Sequence, residues 1–243
     1  PLGFAAARAQ KLPGIALVGL VSKSHAKGIK AATAASVDAL LVLGAAGPDG
    51  LKKLTQSVKA PWGAQVSSLA EEDAQAYQDG GSDMLVFNLD GTAASALASE
   101  DIARILCVDT GIEETELRTI ASLPVDAFLI SMKSVTGAWT LRDLATLGFI
   151  SRRVDKYILV EVSQSPGKKD LEALRDVGVS ALVMDVGAAG ADELGSLKTA
   201  LLAMPRPLSR SRQRSRAILP GSAFAPPQQS EPEPDDGDDE DYE

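Results

Sequence analysis

With 243 residues, 45% of them hydrophobic but only 4% aromatic, the chain can bury a sizeable core made of Ala, Val, Leu and Ile rather than rings. Its net charge of −9 is segregated: residues 1–205 carry 24 acids and 19 bases, residues 206–216 five arginines and no acid, and residues 231–243 nine acids and no base. No apolar run approaches the roughly 20 residues of a membrane span and no signal peptide is recognisable, so a membrane partner is excluded; the single Cys107 excludes an internal disulfide.

A reducing cytoplasm is the expected compartment. The chain begins at Pro1 rather than Met, so a longer native N-terminus is expected. Residues 1–14 read as a short helical segment covering the bottom of the fold. After them, "SVDALLV" (36–42) is written again as "GSDMLVF" (81–87), "PVDAFLI" (124–130) and "GVSALVM" (178–184). Each copy is a polar residue followed by an apolar run, the pattern of a short strand buried on both faces.

A second strand of different wording separates successive copies. In chain order the strands are 15–21, 38–44, 62–68, 83–88, 104–109, 127–132, 157–163 and 181–186, so the copies are the even ones. Apolar residues at spacings of three and four predict helices between them, as in 25–36, 113–123 and 168–178. "TAASALAS" (92–99) predicts a short, weak fourth helix. Ser68 with Glu71 and Thr110 with Glu113 have capping-box spacing, Ser165-Pro166 reads as a helix start, and Gly178 as a stop.

Eight strands alternating with eight helices predict a closed (β/α)8 barrel over residues 15–204, with strand 1 paired to strand 8. The phrase recurs about every 45 residues, one βαβα unit per copy. An open doubly wound sheet is the alternative, and it supplies no reason for the repeat. Residues 205–243, a Ser/Arg run followed by Pro, Gln and acid, are expected to form a disordered tail. Its Arg-rich part, 206–216, is expected to contact a polyanion or a protein partner. The closest polyanion is the chain's own acidic end.

Chemistry in such a barrel sits where strands end and βα loops begin. Counting side-chain alternation from Asp109 directs Cys107 and Ile105 inward and Leu106 and Val108 towards the helices. Similar counting nominates Lys23, Gly44, Gln65 or Ser67, Asn88, Lys133, Glu161 and Asp185, with Asp90 one step beyond Asn88. The structural alternative is a ring of ion pairs filling a polar layer: Lys23 with Asp185, and Lys133 with Asp109 or Glu161. Cys107 then reads as a small core residue, and His25, the one histidine, makes no metal cluster.

Over residues 15–204 the chain resembles the aldolase-type (β/α)8 barrels, in architecture and in its final βαβα unit. The resemblance implies three sites. In a Schiff-base aldolase, Lys133 on strand 6 would form the imine, and "SMKSVTG" (131–137) is similar to the Lys-Thr-Ser-Thr-Gly run of deoxyribose-phosphate aldolases. Its carboxylate neighbours would oppose the neutral amine that such chemistry needs. In a phosphate- or flavin-binding barrel, Gly167 and Lys168 after strand 7 and Gly187, Ala188 and Gly190 after strand 8 would hold phosphate, against repulsion from Glu161 and Asp185. In a metal-dependent barrel, Asp109, Glu161 and Asp185 would bind Mg²⁺ or Mn²⁺.

Asp109, Lys133 and Glu161 are thus the catalytic candidates. Lys23, Asn88, Gly167, Lys168, Asp185 and Gly187 are candidates for holding a small-molecule or phosphorylated ligand. No particular cofactor or dedicated metal site is assigned. Because each enzymatic signature is matched only in part, the reading leans to a catalytically degenerate barrel that binds or scaffolds. The alternative is a small-molecule lyase or isomerase with its site at the C-terminal strand ends.

Overall fold

Each apolar run of the series forms a strand because both of its faces are covered. The computed structural model describes residues 14–22, 25–43, 47–56, 58–98 and 101–205. Strands β1 (Ala16–Val21), β2 (Ala39–Leu43), β3 (Trp62–Gln65), β4 (Met84–Phe87), β5 (Ala103–Val108), β6 (Ala127–Ser131), β7 (Tyr157–Val162) and β8 (Val179–Asp185) close in sequence order. All pairs are parallel, and β1 meets β8 from Ala16↔Ala181 to Leu20↔Asp185. The sheet is closed, and the doubly wound alternative is wrong.

Alternation sorts every strand between two cores. Val18, Leu20, Leu41, Val86, Ile105, Leu129, Leu159 and Val183 fill the barrel interior, with Cys107 packed against them. Leu17, Leu40, Leu85, Leu106, Phe128, Val160 and Leu182 face the helices instead. The bulky Trp62, Phe87 and Phe128 all lie on the helix side, so the interior is filled by aliphatic groups. Fully burying one such side chain stabilises the fold by about 1.5–3 kcal/mol.

The helices are α1 (His25–Ala34), α2 (Gly47–Thr55), α3 (Glu71–Asp79), α4 (Glu114–Ala121), α5 (Leu141–Ser151), α6 (Lys168–Asp176) and α7 (Val186–Ala203). Each amphipathic stripe turns inward: Leu117 and Ile120 on α4, Leu171 and Leu174 on α6, and Leu194, Leu197 and Leu201 on α7 are buried. The helix expected at 92–99 is a single 3-10 turn, Ala94–Leu97. Only Ala96 of that turn is buried, so no apolar stripe offsets the cost of nucleating a longer helix.

Two capping expectations fail for a shared reason. Helices α3 and α4 begin three to four residues beyond Ser68 and Thr110, with Ala70 and Glu113 at the N-cap and no side-chain cap. Gly167, not Ser165, is the N-cap of α6. The capping box that does form is Thr140–Asp143 on α5. There Asp143 N donates to Thr140 Oγ1 at 3.2 Å and Thr140 N donates to Asp143 Oδ2 at 2.8 Å. Gly178 stops α6 as expected, at φ +103°. Gly190 (φ 77°) breaks α7 after its first turn, setting the short segment after β8 apart from the rest of the helix.

The polar residue of each repeated phrase has a structural task. Leu17 N donates to Asp38 Oδ2 at 2.8 Å, Trp62 N to Asp83 Oδ2 at 2.9 Å, and Arg104 N to Asp126 Oδ2 at 2.8 Å. Ile158 N donates to Ser180 Oγ at 3.4 Å. Each even strand thus begins by satisfying an N–H at the start of the odd strand before it. Among the described residues, no helix is long and apolar enough to cross a membrane. The expectations for residues 1–13 and for the tail 206–243, including the partner contact through 206–216, lie outside the described residues.

Candidate functional site

At the C-terminal ends of β3 to β7 the interior opens into a cavity of about 680 Å³. Its walls hold Gln65 from β3, Asn88 and Asp90 after β4, Cys107 from β5 and Asp109 just after it, Ser131 from β6 and Glu161 from β7. The same alternation that packs Ile105 and Leu129 inward below aims these polar groups into the opening. Ser131 and Glu161 stand side by side in the register of β6 and β7. Glu116, from the first turn of α4, adds a fourth carboxylate to Asp90, Asp109 and Glu161.

Glu161 is only 5% exposed, whereas Asp109, Asp90 and Glu116 are open to solvent. The Lys133 ammonium reaches Glu161 Oε1 at 2.5 Å, one of the two pairings expected for it. Yet Oε1 accepts no aligned hydrogen bond, and Gln65 Oε1, likewise buried, accepts none at all. The Lys133 side chain is 55% exposed, so it covers the rim rather than occupying an apolar pocket. An ion-paired, solvated ammonium is a poor imine-forming nucleophile, which argues against the Schiff-base site.

Burial pushes the Cys107 thiol up to about 11, and the charges of Glu161 and then Asp109 add to the shift. The thiol is therefore protonated at neutral pH and not a nucleophile.

The remaining candidates are not brought to this cavity. Asp185 caps the short helical turn after β8: Gly187 N and Ala188 N donate to its Oδ1 at 2.7 and 3.0 Å, and Ser22 Oγ donates to its Oδ2. Asp185 is thus a cap, apart from Asp109 and Glu161, and the three-carboxylate metal site does not form. Among the described residues, no group of three or more His, Cys, Asp or Glu side chains is placed to hold a metal ion. Gly167 is the N-cap of α6, and Lys168 and Gly187 are exposed away from the cavity.

Lys23, Gly44 and the His25 side chain lie outside the described residues. With Val18 and Leu20 inward, alternation brings Ser22 rather than Lys23 to the inner side of β1, and Ser22 meets Asp185 there. Sequence reasoning also missed Ser131 and Glu116. Ser131 was legible by the same parity, being two positions before Lys133 at the end of β6. Glu116 arrives from a helix, which strand counting does not cover.

No protein-family model matches the chain, and no curated protein matches it. Among solved structures it is similar to a variant tryptophan synthase alpha-subunit from the hyperthermophile Pyrococcus furiosus, with 11% identity and a TM-score of 0.61 over 79% of this chain and 98% of that one. It is similar to KGPDC from Streptococcus mutans, with 12% identity and a TM-score of 0.62 over 78% and 98%. A chain from the tryptophan synthase α2β2 complex of P. furiosus aligns with 11% identity and a TM-score of 0.59, again over 79% and 98%. The similarity is one of fold, a closed parallel (β/α)8 barrel.

Proposed function

We propose that the protein is a small-molecule enzyme, a lyase or isomerase working by acid–base catalysis in the cavity at the C-terminal ends of β3 to β7. The observation that carries this reading is the pair of unlike carboxylates facing one cavity. Asp109 is solvated and open to a ligand, while Glu161 is buried and ion-paired to Lys133. Two carboxylates in contrasting surroundings can divide proton abstraction from substrate positioning.

Asp109 takes the role of the base that removes a substrate proton. Glu161, with the Lys133 ammonium beside it, orients the substrate and supplies the complementary charge. The similarity to tryptophan synthase subunits favours the enzymatic alternative over the catalytically degenerate binding or scaffold barrel to which the sequence leaned.

The test is turnover of a small-metabolite extract followed by mass spectrometry, comparing the wild-type chain with Asp109→Asn. One or more metabolites should be depleted by the wild type, and the substitution should slow that depletion by about 10²-fold or more. Depletion that is indifferent to Asp109→Asn would remove this site from the reaction. No depletion at all would return the reading to a binding barrel.

A further inference from the structure

Resting on the reading of this cavity as the working site, we propose that Lys133 is a positioning residue. It holds the Glu161 carboxylate on the cavity wall without touching the ligand itself. Glu161 lines the cavity, and Lys133 does not. The pair is lopsided: 6% of the Glu161 side chain is exposed, against 55% of the Lys133 side chain. Among the described residues, the Lys133 ammonium is the one cation within ion-pairing distance of Glu161, and Oε1 has no other partner.

The surroundings offer no second counter-charge. In the register Glu161 stands between Ser131 on β6 and Val183 on β8, and Leu129 and Leu159 pack the interior. Asp109 shares the cavity and adds charge of the same sign. A buried carboxylate stripped of its only cation is left unpaired, a state relieved by turning out to water or by neutralisation. Either response removes the charge from the wall.

The backbone fixes where the ammonium can reach. Met132 N donates to the Glu161 carbonyl at 2.8 Å, one rung past the end of β6, and Val135 N donates to the Met132 carbonyl at 3.0 Å, closing a turn around Lys133. Ser163 Oγ donates to the Val135 carbonyl at 3.3 Å. The turn is thus tied at both ends to the strand that carries Glu161, so the lysine is delivered to one carboxylate and not to the open cavity.

Cys107 reports the outcome without any substrate. Burial, then Glu161, then Asp109 push its thiol up to about 11. A carboxylate that leaves the wall lowers the midpoint of Cys107 alkylation, whereas the bare loss of a cation would raise it. In iodoacetamide titrations of the full chain, Lys133→Met should lower the midpoint as Glu161→Gln does. Combining the two substitutions should lower it no further, and Lys133→Arg should keep the wild-type value. A rise or no change in Lys133→Met would overturn the positioning role, as would a fall that Lys133→Arg shares. If Lys133→Met alone does not fold, the double variant, which leaves no charge unpaired, should fold; its failure would show that Lys133 serves something other than Glu161. Where the wild type depletes a metabolite, Lys133→Met and the double variant should slow depletion equally, by about tenfold or more. Absence of depletion overturns the enzymatic reading alone, and the thiol titration still decides the role of Lys133.

Discussion

The Asp83 carboxylate accepts the backbone N–H of Trp62 at 2.9 Å, while the Asp83 N–H donates back to the Trp62 carbonyl at 2.8 Å. Asp38 with Leu17 and Asp126 with Arg104 repeat this two-way exchange. The side chain thus prolongs the ladder by one rung at the N-terminal edge of the barrel, where an odd strand would otherwise begin with an unpaired N–H. Asp83→Ala should cost about 1–3 kcal/mol in urea unfolding, and Asp83→Asn, which keeps an acceptor, much less. A loss for the alanine variant within about 0.5 kcal/mol would contradict this role.

Asp126 adds a pH dependence. Partial burial alone would raise its carboxyl, but the Arg104 N–H, the Arg104 guanidinium and the Lys156 charge outweigh burial and hold it below its ordinary value. A depressed folded-state value means the stabilisation is complete above the unfolded carboxylate value, about 3.9, and is lost as pH falls through the folded one. Asp126→Asn should therefore be less stable than the wild type at pH ~7, and the gap should close on acidification to pH ~2–3. An equal gap at both ends would show that charge plays no part.

Cys107 reads the potential of the cavity floor. Its thiol should resist alkylation by iodoacetamide near neutral pH and gain reactivity with a midpoint at about 11. Burial is the largest cause, then Glu161, then Asp109. Glu161→Gln should therefore lower the midpoint more than Asp109→Asn does. Rapid labelling of the folded wild type at neutral pH would mean that the carboxylates do not act on this thiol.

The strands were legible because their apolar runs are short, β-branched and repeated, and because parity from Asp109 carries down the interior to Ile105. The closure of β1 on β8 followed from the count of units. The use of Asp38, Asp83 and Asp126 was not legible, because each partner N–H lies 21 or 22 residues away across a register that only the closed sheet defines. Asp185 looked like a site residue because it ends an inward-facing strand, but the turn at Gly187 and Ala188 folds back to consume its Oδ1. Ser22, which continues the parity of Val18 and Leu20 past the end of β1, was not counted, although its hydroxyl meets Asp185. Ser68 and Thr110 misled because the βα loops continue past them before a helix begins.

The most direct measurement is a crystal structure of the chain with the metabolite that it depletes. The account predicts that metabolite in the cavity between β3 and β7, with a polar group within about 3.2 Å of a carboxylate oxygen of Asp109 or Glu161. A ligand held instead on the N–H groups after β7 and β8, with Asp185 displaced and the cavity empty, would contradict it.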